Sequence, residues 1–551
     1  MAIITKLRFI PLICLIAFGF AYFFAPYIKN ADAATTYNCG GRKFYIDYSA
    51  GNDSNSGTKT SPWKRAPGMV GFTGNYAHVA KDCFYFKGGV SWPNNVFPLT
   101  TTGGGDATAN DYYGTDKTWY AGSSFTKPIW DGQNSPITGT KKSFFVSSDD
   151  YNTLHDIEMT NYYARNCSFG GCAMVYWVGV SKQIADDIYV HNFNVRDEVS
   201  DTNAIIFQSA TYQRDDNSLI NSKIEGDPQS YMEVSRAVNT VKNNVMHDVI
   251  GMVFPNGTGE ISSNLMYNCG YPSFPAGGKS HHADVIQVNP PNYSSTPEQT
   301  FLIHDNVIYD TGVEDANGNE CETMLIGNPG ENYFIWNNII YSSHGNEIGL
   351  LQDSSSGGPA KSINIFNNTI VGGRDFSGPC IRSGAGTQTI KIQNNHCITD
   401  SSFLYEVSAA NLVVQNNLTQ TVAQATSSGF TPNSTNAYSP SSANASTIGA
   451  GANLTSLCSG GLSGLCSSTN YAGTLSQAQR HTTGAWDIGA YQYSNPGNSQ
   501  KTGDLNSDGK VDIVDLSTLL TNYGKSGMGD INNSGLVDIF DLSILLSNYG
   551  K

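Results

Sequence analysis

INIFNNTIVGG, from Ile363 to Gly373, alternates apolar with polar residues, breaks at an Asn pair and resumes as a short apolar run. The pattern recurs. Asn243-Asn244 precedes Val245-Met246, Ser263-Asn264 precedes Leu265-Met266, and Asp305-Asn306 precedes Val307-Ile308. Asn337-Asn338, Asn394-Asn395 and Asn416-Asn417 lead into Ile339-Ile340, His396-Cys397 and Leu418. The second position falls at 244, 264, 306, 338, 368, 395 and 417, so the steps are 20, 42, 32, 30, 27 and 22 residues. One supersecondary unit repeated with insertions of variable length gives such a spread.

Asn tolerates left-handed backbone and bonds neighbouring backbone through its side chain, so it suits a sharp turn from one strand into the next. If successive coils stack, the amides also stack, into a hydrogen-bonded ladder inside the turn. The flanking runs are rich in Ile, Val, Phe and Leu, which favours strand, and no long 3.6-residue apolar period competes. Short strands that each bury one side against the next coil describe a parallel β-solenoid. An antiparallel sandwich with Asn-rich hairpins is the alternative, although hairpins favour Asn-Gly over an Asn pair followed at once by a strand.

A chain of 551 residues has room for a large core and an appended module. Lys6 and Arg8 precede an apolar run from Phe9 to Ile28, and Ala31-Asp32-Ala33 offers a small-x-small cleavage site. Residues 1–33 therefore read as a signal peptide. The same run, left uncleaved, is long enough for a membrane anchor, and either way the body faces the outside, secreted or on the cell surface. Cys14 falls in this segment. The other ten cysteines (Cys39, Cys83, Cys167, Cys172, Cys269, Cys321, Cys380, Cys397, Cys458 and Cys466) are an even set in an exported chain, which suggests disulfides. Close spacing favours Cys167 with Cys172 and Cys458 with Cys466, and no Cys-x-x-Cys pair supports zinc. A net charge of -15 argues against nucleic acid as a partner. It does not exclude an anionic polysaccharide, since local cations reverse the field in one groove.

Ahead of the Asn repeats come Tyr45-Ile46-Asp47, the turn-rich Gly51 to Thr58, Ser61-Pro62-Trp63 and Phe86-Lys87-Gly88-Gly89-Val90-Ser91-Trp92. These elements resemble the N-terminal coils of bacterial right-handed parallel β-helix proteins of the pectin-lyase-like superfamily. Pro128 to Gly132 and Asp156 to Asn161 fit later coils, and Asp487-Ile488-Gly489-Ala490-Tyr491-Gln492-Tyr493 is similar to an ending common among them. The resemblance implies an all-β, right-handed parallel β-helix over 34–493. That solenoid hosts lyases, hydrolases, epimerases and non-catalytic adhesins, so fold alone does not select a function.

A second strand column can be aligned through Ile206-Phe207-Gln208, Val253-Phe254, Val285-Ile286-Gln287, Leu325-Ile326, Leu351-Gln352, Ile381-Arg382 and Leu404-Tyr405-Glu406. On that alignment Gln208, Gln287, Gln352, Arg382 and Glu406 line one outer face as a groove for a chain of sugars. Ordinary solvated strand positions are the other reading. The densest polar cluster, Lys279-Ser280-His281-His282-Ala283-Asp284, lies between an Asn coil and a strand. Cleavage of a uronic-acid polymer by a lyase needs a base for the C5 proton and a cation beside the carboxylate. Lys279, His281 or His282 would be that base, with Asp284 a ligand or orienting group. A hydrolase instead needs two carboxylates flanking the glycosidic bond, and Asp284 with Asp353 or Glu406 would supply them. His247-Asp248 and Arg236 are further candidates. A turn held by Asp and His hydrogen bonds explains the cluster without chemistry.

After a polar linker at 494–502, residues 503–551 carry one motif twice, displaced by 26. The first loop offers Asp504, Asn506, Asp508, Asp512 and Asp515, with the Lys510 carbonyl. The second offers Asp530, Asn532, Ser534, Asp538 and Asp541, with the Leu536 carbonyl. Oxygen donors at positions 1, 3, 5, 9 and 12 and Gly at position 6 are what calcium requires. Helices are predicted over Leu516 to Tyr523 and Leu542 to Tyr549, with Leu519, Leu520, Leu545 and Leu546 packing the copies together. The duplicated loop-helix resembles a type I dockerin, which implies docking on a cohesin-like scaffold. Ile513-Val514 and Ile539-Phe540 at loop positions 10 and 11 depart from that pattern and leave the partner open. A calcium-stabilised tail without a partner is the alternative. The whole chain thus reads as an exported, carbohydrate-active β-helix protein, a polysaccharide lyase or glycoside hydrolase on a calcium-binding tail. The rival is a non-catalytic adhesin or glycan-binding solenoid.

Overall fold

The structure is a computed structural model. It describes residues 37–550 apart from 138–141, 166–171, 196–203, 209–215, 228–231, 255–257, 271–283, 289–298, 312–321, 327–330, 342–346, 351–359, 374–377, 383–386, 434, 494–501, 506–509, 526–528 and 533–535. The expected signal peptide, 1–33, lies outside the described residues. No helix among them is long and apolar enough to cross a membrane.

Three sheets of 13, 12 and 11 strands run the length of the solenoid, and a two-stranded pair lies beside them. One coil shows how the chain visits them. Thr300–His304 lies in the first sheet, Asp305-Asn306 turns the chain, Val307–Tyr309 lies in the second sheet, and Glu322–Ile326 lies in the third. Asn332–Trp336 then returns to the first sheet, one rung further on. Strand pairing within the three sheets is parallel throughout, as in Thr300–His304 with Asn332–Trp336, Val307–Tyr309 with Ile339–Tyr341, and Glu322–Ile326 with Ile348–Leu350. This is a parallel β-helix, consistent with the right-handed sense that crossovers between parallel strands adopt. The sandwich alternative fails on strand direction.

Inside the coil, like residues stack rung upon rung. Ile261, Ile303, Ile335, Ile365 and Ile392 form one rank of the first sheet, all within the core. Full burial of such a side chain contributes about 1.5–3 kcal/mol. The N-terminal coils use rings instead: Phe44, Phe84 and Tyr113 stack with centroids 5.7 and 4.8 Å apart. Trp63 stacks on Phe44 at 4.8 Å, and the segment around it hydrogen-bonds to the first strand through Tyr45, Gly57 and Asp47. The N-terminal end of the solenoid is therefore capped.

The Asn turn divides two tasks between two residues. The first position takes the left-handed backbone: Asn243, Ser263, Asp305, Asn337, Asn367, Asn394 and Asn416 have φ between 52° and 61°. The second position builds the ladder. Asn338 donates from both its backbone N and its Nδ2 to Asn368 Oδ1 at 2.9 Å, and Nδ2 also donates to the Ile303 carbonyl at 2.9 Å. The same set links Asn244, Asn264, Asn306, Asn368, Asn395 and Asn417 in order. Upstream it is continued by Ser222, whose N–H donates to Asn244 Oδ1.

The side chains at the first position hold a strap formed by the C-terminal part of the β-helix domain. Asn470 donates to Ser263 Oγ at 2.7 Å and through its N–H to Asp305. Asn337 donates to the Ser467 carbonyl and accepts from Arg480 Nη2, each at 2.9 Å. Asn367 donates to the Asp487 carbonyl at 3.0 Å, and Asn394 exchanges bonds with Ala452. The Asp487 to Tyr493 ending thus belongs to this strap. The irregular segment after Thr421 contains a short helix, Val422–Ser427. It packs with Phe430, Tyr438 and Tyr471 on the second sheet's Ile339 and Tyr341. It covers a flank and leaves the end of the coil open.

Disulfides join Cys39 to Cys83, Cys380 to Cys397 and Cys458 to Cys466, the last as expected. Cys172 and Cys269 are also disulfide-bonded, while Cys167 and Cys321 lie outside the described residues. Replacing Asn338 with Ala removes the acceptor of two Asn306 donors in a dry turn. The expected loss is about 3 kcal/mol of stability, read as a lower denaturation midpoint by circular dichroism.

Candidate functional site

The third sheet carries Asp284 and the aligned column of sequence candidates. Its inner rank, Ile206, Ser235, Val253, Ile286, Met324, Ile348, Ile381 and Leu404, fixes the register. Two residues before this rank run Ala204, Glu233 and Gly251, then Asp284 and Glu322. The Val253–Ile286 pairing places Gly251 beside Asp284. Rungs lie about 4.8 Å apart, so Glu322 is one rung from Asp284 and Glu233 is two. One residue after the inner rank run Phe207, Arg236 and Phe254, and then Gln287, Leu325, Gly349, Arg382 and Tyr405. Ala204 and Phe207 join Val146, Ala173 and Tyr176 in an apolar cluster separate from the core, which puts both of these ranks on the outer side.

Three carboxylates therefore gather on one outer patch. Arg236 Nε donates to Glu233 Oε2 at 2.8 Å. Asp284 is fully buried. Burial, with Glu322 and then Glu233 adding negative potential, pushes its carboxyl well above the ordinary aspartate range. A carboxylic acid so held keeps its proton where an exposed Asp has lost it, and so can act as an acid. Two positions beside the acids lack side chains. Gly251 separates Glu233 from Asp284, and a Cβ on Gly349 would stand 3.3 Å from Glu322 Oε2.

Of the sequence candidates, Asp284 lies at the centre of this patch. Lys279, His281 and His282, which precede it in the chain, lie outside the described residues, as do Gln352 and Asp353. Gln287 and Arg382 share an outer rank, but Gln208 and Glu406 do not. Gln208 follows Phe207 and pairs with Trp177, one residue off that rank. Glu406 follows Tyr405 beyond the strand end, with φ 56°. His247 and Asp248 bond each other at 2.5 Å on the second sheet, away from the acids. Glu233 and Glu322, which the register sets near Asp284, are not among the sequence candidates. Aligning Val285-Ile286 with Leu325-Ile326 is a two-residue slip from the observed Ile286–Met324 pairing, and it hides Glu322.

The tail has two helices, Ile513–Asn522 and Ile539–Asn548. They begin earlier than expected because Asp512 and Asp538 cap them, with Asp515 and Asp541 completing capping boxes. Leu519 and Leu545 are buried with Val511 and Val537. Leu520 and Leu546, expected to pack between the copies, are instead half exposed. Gly503 and Gly529, at φ 103° and 109°, lie against Leu545 and Leu519 of the opposite helix, so the duplication packs as a pseudo-symmetric pair. Asp504, Asp515 and Asp541 are buried. Asp515 accepts from Leu505 N and Asp512 N, and Asp541 from Asn532 N and Asp538 N. Lys510, Asp512, Asp530, Leu536 and Asp538 are described as well. Asn506, Asp508 and Ser534 lie outside the described residues, and among the described ones no group of three His, Cys, Asp or Glu is placed to hold a metal.

Neither a protein-family model nor a curated protein matches the chain. Among solved structures it is similar to a rhamnogalacturonan lyase at 14% identity, over 68% of this chain and 87% of that one, with TM-score 0.38. A GH136 lacto-N-biosidase from Eubacterium ramulus matches at 14% identity over 69% and 68%, TM-score 0.43. Pectate lyase Pel9A matches at 13% over 82% and 96%, TM-score 0.38.

Because the Asp284 carboxyl binds its proton more tightly folded than unfolded, its contribution to stability falls as pH rises above the unfolded value of about 3.9. Asp284→Asn should therefore gain stability relative to the parent on going from pH 4 to pH 7, measured by denaturant midpoints at each pH.

Proposed function

We propose that this protein is an exported carbohydrate-active enzyme that cleaves a polysaccharide with the third-sheet carboxylates, by glycoside hydrolysis. The observation that supports this is the buried, proton-holding Asp284 one rung from Glu322. Hydrolysis needs one carboxylic acid and one carboxylate, about 5 Å apart for retention and up to about 9.5 Å for inversion. Asp284 protonates the leaving glycosidic oxygen while the Glu322 carboxylate attacks the anomeric carbon. Asp284, now ionised, takes a proton from the water that displaces Glu322. Glu233, two rungs away and fixed by Arg236, strengthens proton retention on Asp284. The negative potential that Glu322 and Glu233 place at Asp284 favours a neutral sugar at the cleavage point over a uronic acid, whose carboxylate it would repel.

The tail is read as a calcium-binding, dockerin-like tether to a cohesin-like scaffold or cell-surface protein. Asp504, Asn506, Asp508, Asp512 and Asp515, with the Lys510 carbonyl, would hold one ion. Asp530, Asn532, Ser534, Asp538 and Asp541, with the Leu536 carbonyl, would hold the other. The buried carboxylates support this, since hard oxygen donors suit calcium and its charge offsets theirs. Its role is to order the two loops.

Incubation with neutral and uronic-acid polysaccharides should release new reducing ends without unsaturated sugars. Asp284→Asn and Glu322→Gln should each lower the rate roughly 10²–10⁴-fold. Unsaturated products would replace this reading with a lyase, and binding without products would replace it with a lectin-like solenoid. Calcium titration of the full chain by calorimetry should show two sites, the second weaker because Ser534 replaces a carboxylate, and Asp515→Asn should abolish the first.

A further inference from the structure

The two ends of the β-helix differ. The first coil is covered by the segment around Trp63, as described above. At the other end all three sheets stop on one coil, with strands Leu404–Tyr405, Ala409–Gln415 and Leu418–Gln420. Leu412 and Val414 continue the inner ranks of the fully buried Ile390 and Ile392, yet they are 41% and 40% exposed, and Tyr405 is 48% exposed. The strand that carries Leu412 and Val414 has seven residues, and among the described residues one of its edges pairs with no strand.

We propose that this end is an interface between two copies of the chain, joined end to end about a two-fold axis. An open strand edge presents N–H and C=O groups that another strand satisfies. A two-fold operation sets Ala409–Gln415 antiparallel to its own copy and continues the core ranks of one solenoid against those of the other. Natural edges are blunted by Lys, Pro or inward charges, and Ala409 to Gln420 contains none of these. On a chain of net charge -15, a stretch free of charge is where two copies meet with least repulsion. The C-terminal module also shows apolar residues, Ile513 and Phe540 among them, but its described secondary structure is helical and offers no strand to pair with this edge.

Light scattering with sedimentation velocity on the full chain should give twice the single-chain mass. The double substitution Leu412→Lys with Val414→Lys should halve that mass while leaving the far-ultraviolet spectrum unchanged, because both residues are already solvent-accessible in one copy. Leu412→Cys, near the strand centre, should form a covalent dimer under mild oxidation, which decides the matter should the lysine variant fold poorly. A parent chain that stays single at all concentrations, a lysine variant that stays double, or a cysteine variant that does not cross-link would each overturn the interface.

Discussion

Each coil from Asn244 to Asn417 is tied to the next by an amide that accepts two hydrogen bonds from the coil before and donates to it a third. The later coils of the solenoid depend on that spacing. A parallel sheet fixes rungs about 4.8 Å apart only while its strands start at the same height, and the turn ladder sets that starting height independently of the loops. The step from one turn to the next can therefore vary from 20 to 42 residues without shifting the inner ranks.

The ladder was legible because it is local in sequence: an Asn followed at once by an apolar run shows itself without alignment. The division of labour within each pair was not. Both residues are Asn in several turns, and only the backbone angles separate the left-handed one from the stacked one. Nor did the strap's contacts show, since the partners of Ser263, Asn337 and Asn394 lie more than fifty residues downstream. In the tail the 26-residue repeat is legible and the helix starts are not, because Asp512, Asp515, Asp538 and Asp541 serve as caps.

The outer side of the third sheet shows a different limit. Val, Ile, Met and Leu interchange along its inner rank, so apolar pattern alone allows slips of one or two residues, and each slip exchanges or displaces the outward set. Asp284 is a sequence candidate because it stands beside a dense polar cluster. Glu233 and Glu322 have unremarkable neighbours and become visible only when the register puts them next to it. What distinguishes the patch is its energetics. Gathering three acids where one is fully buried works against stability at neutral pH, and such clusters are retained where they serve a site.

The strap carries a consequence for cooperativity. A stack whose units touch only their neighbours unravels from its ends, one unit at a time. Here a single segment, Ala452 to Gly489, grips turns on five successive coils, with Asn470 reaching back 207 residues to Ser263. Those coils cannot peel away singly without first releasing the clasp. They should melt as one block and complete their folding only after the chain beyond residue 489 has been made.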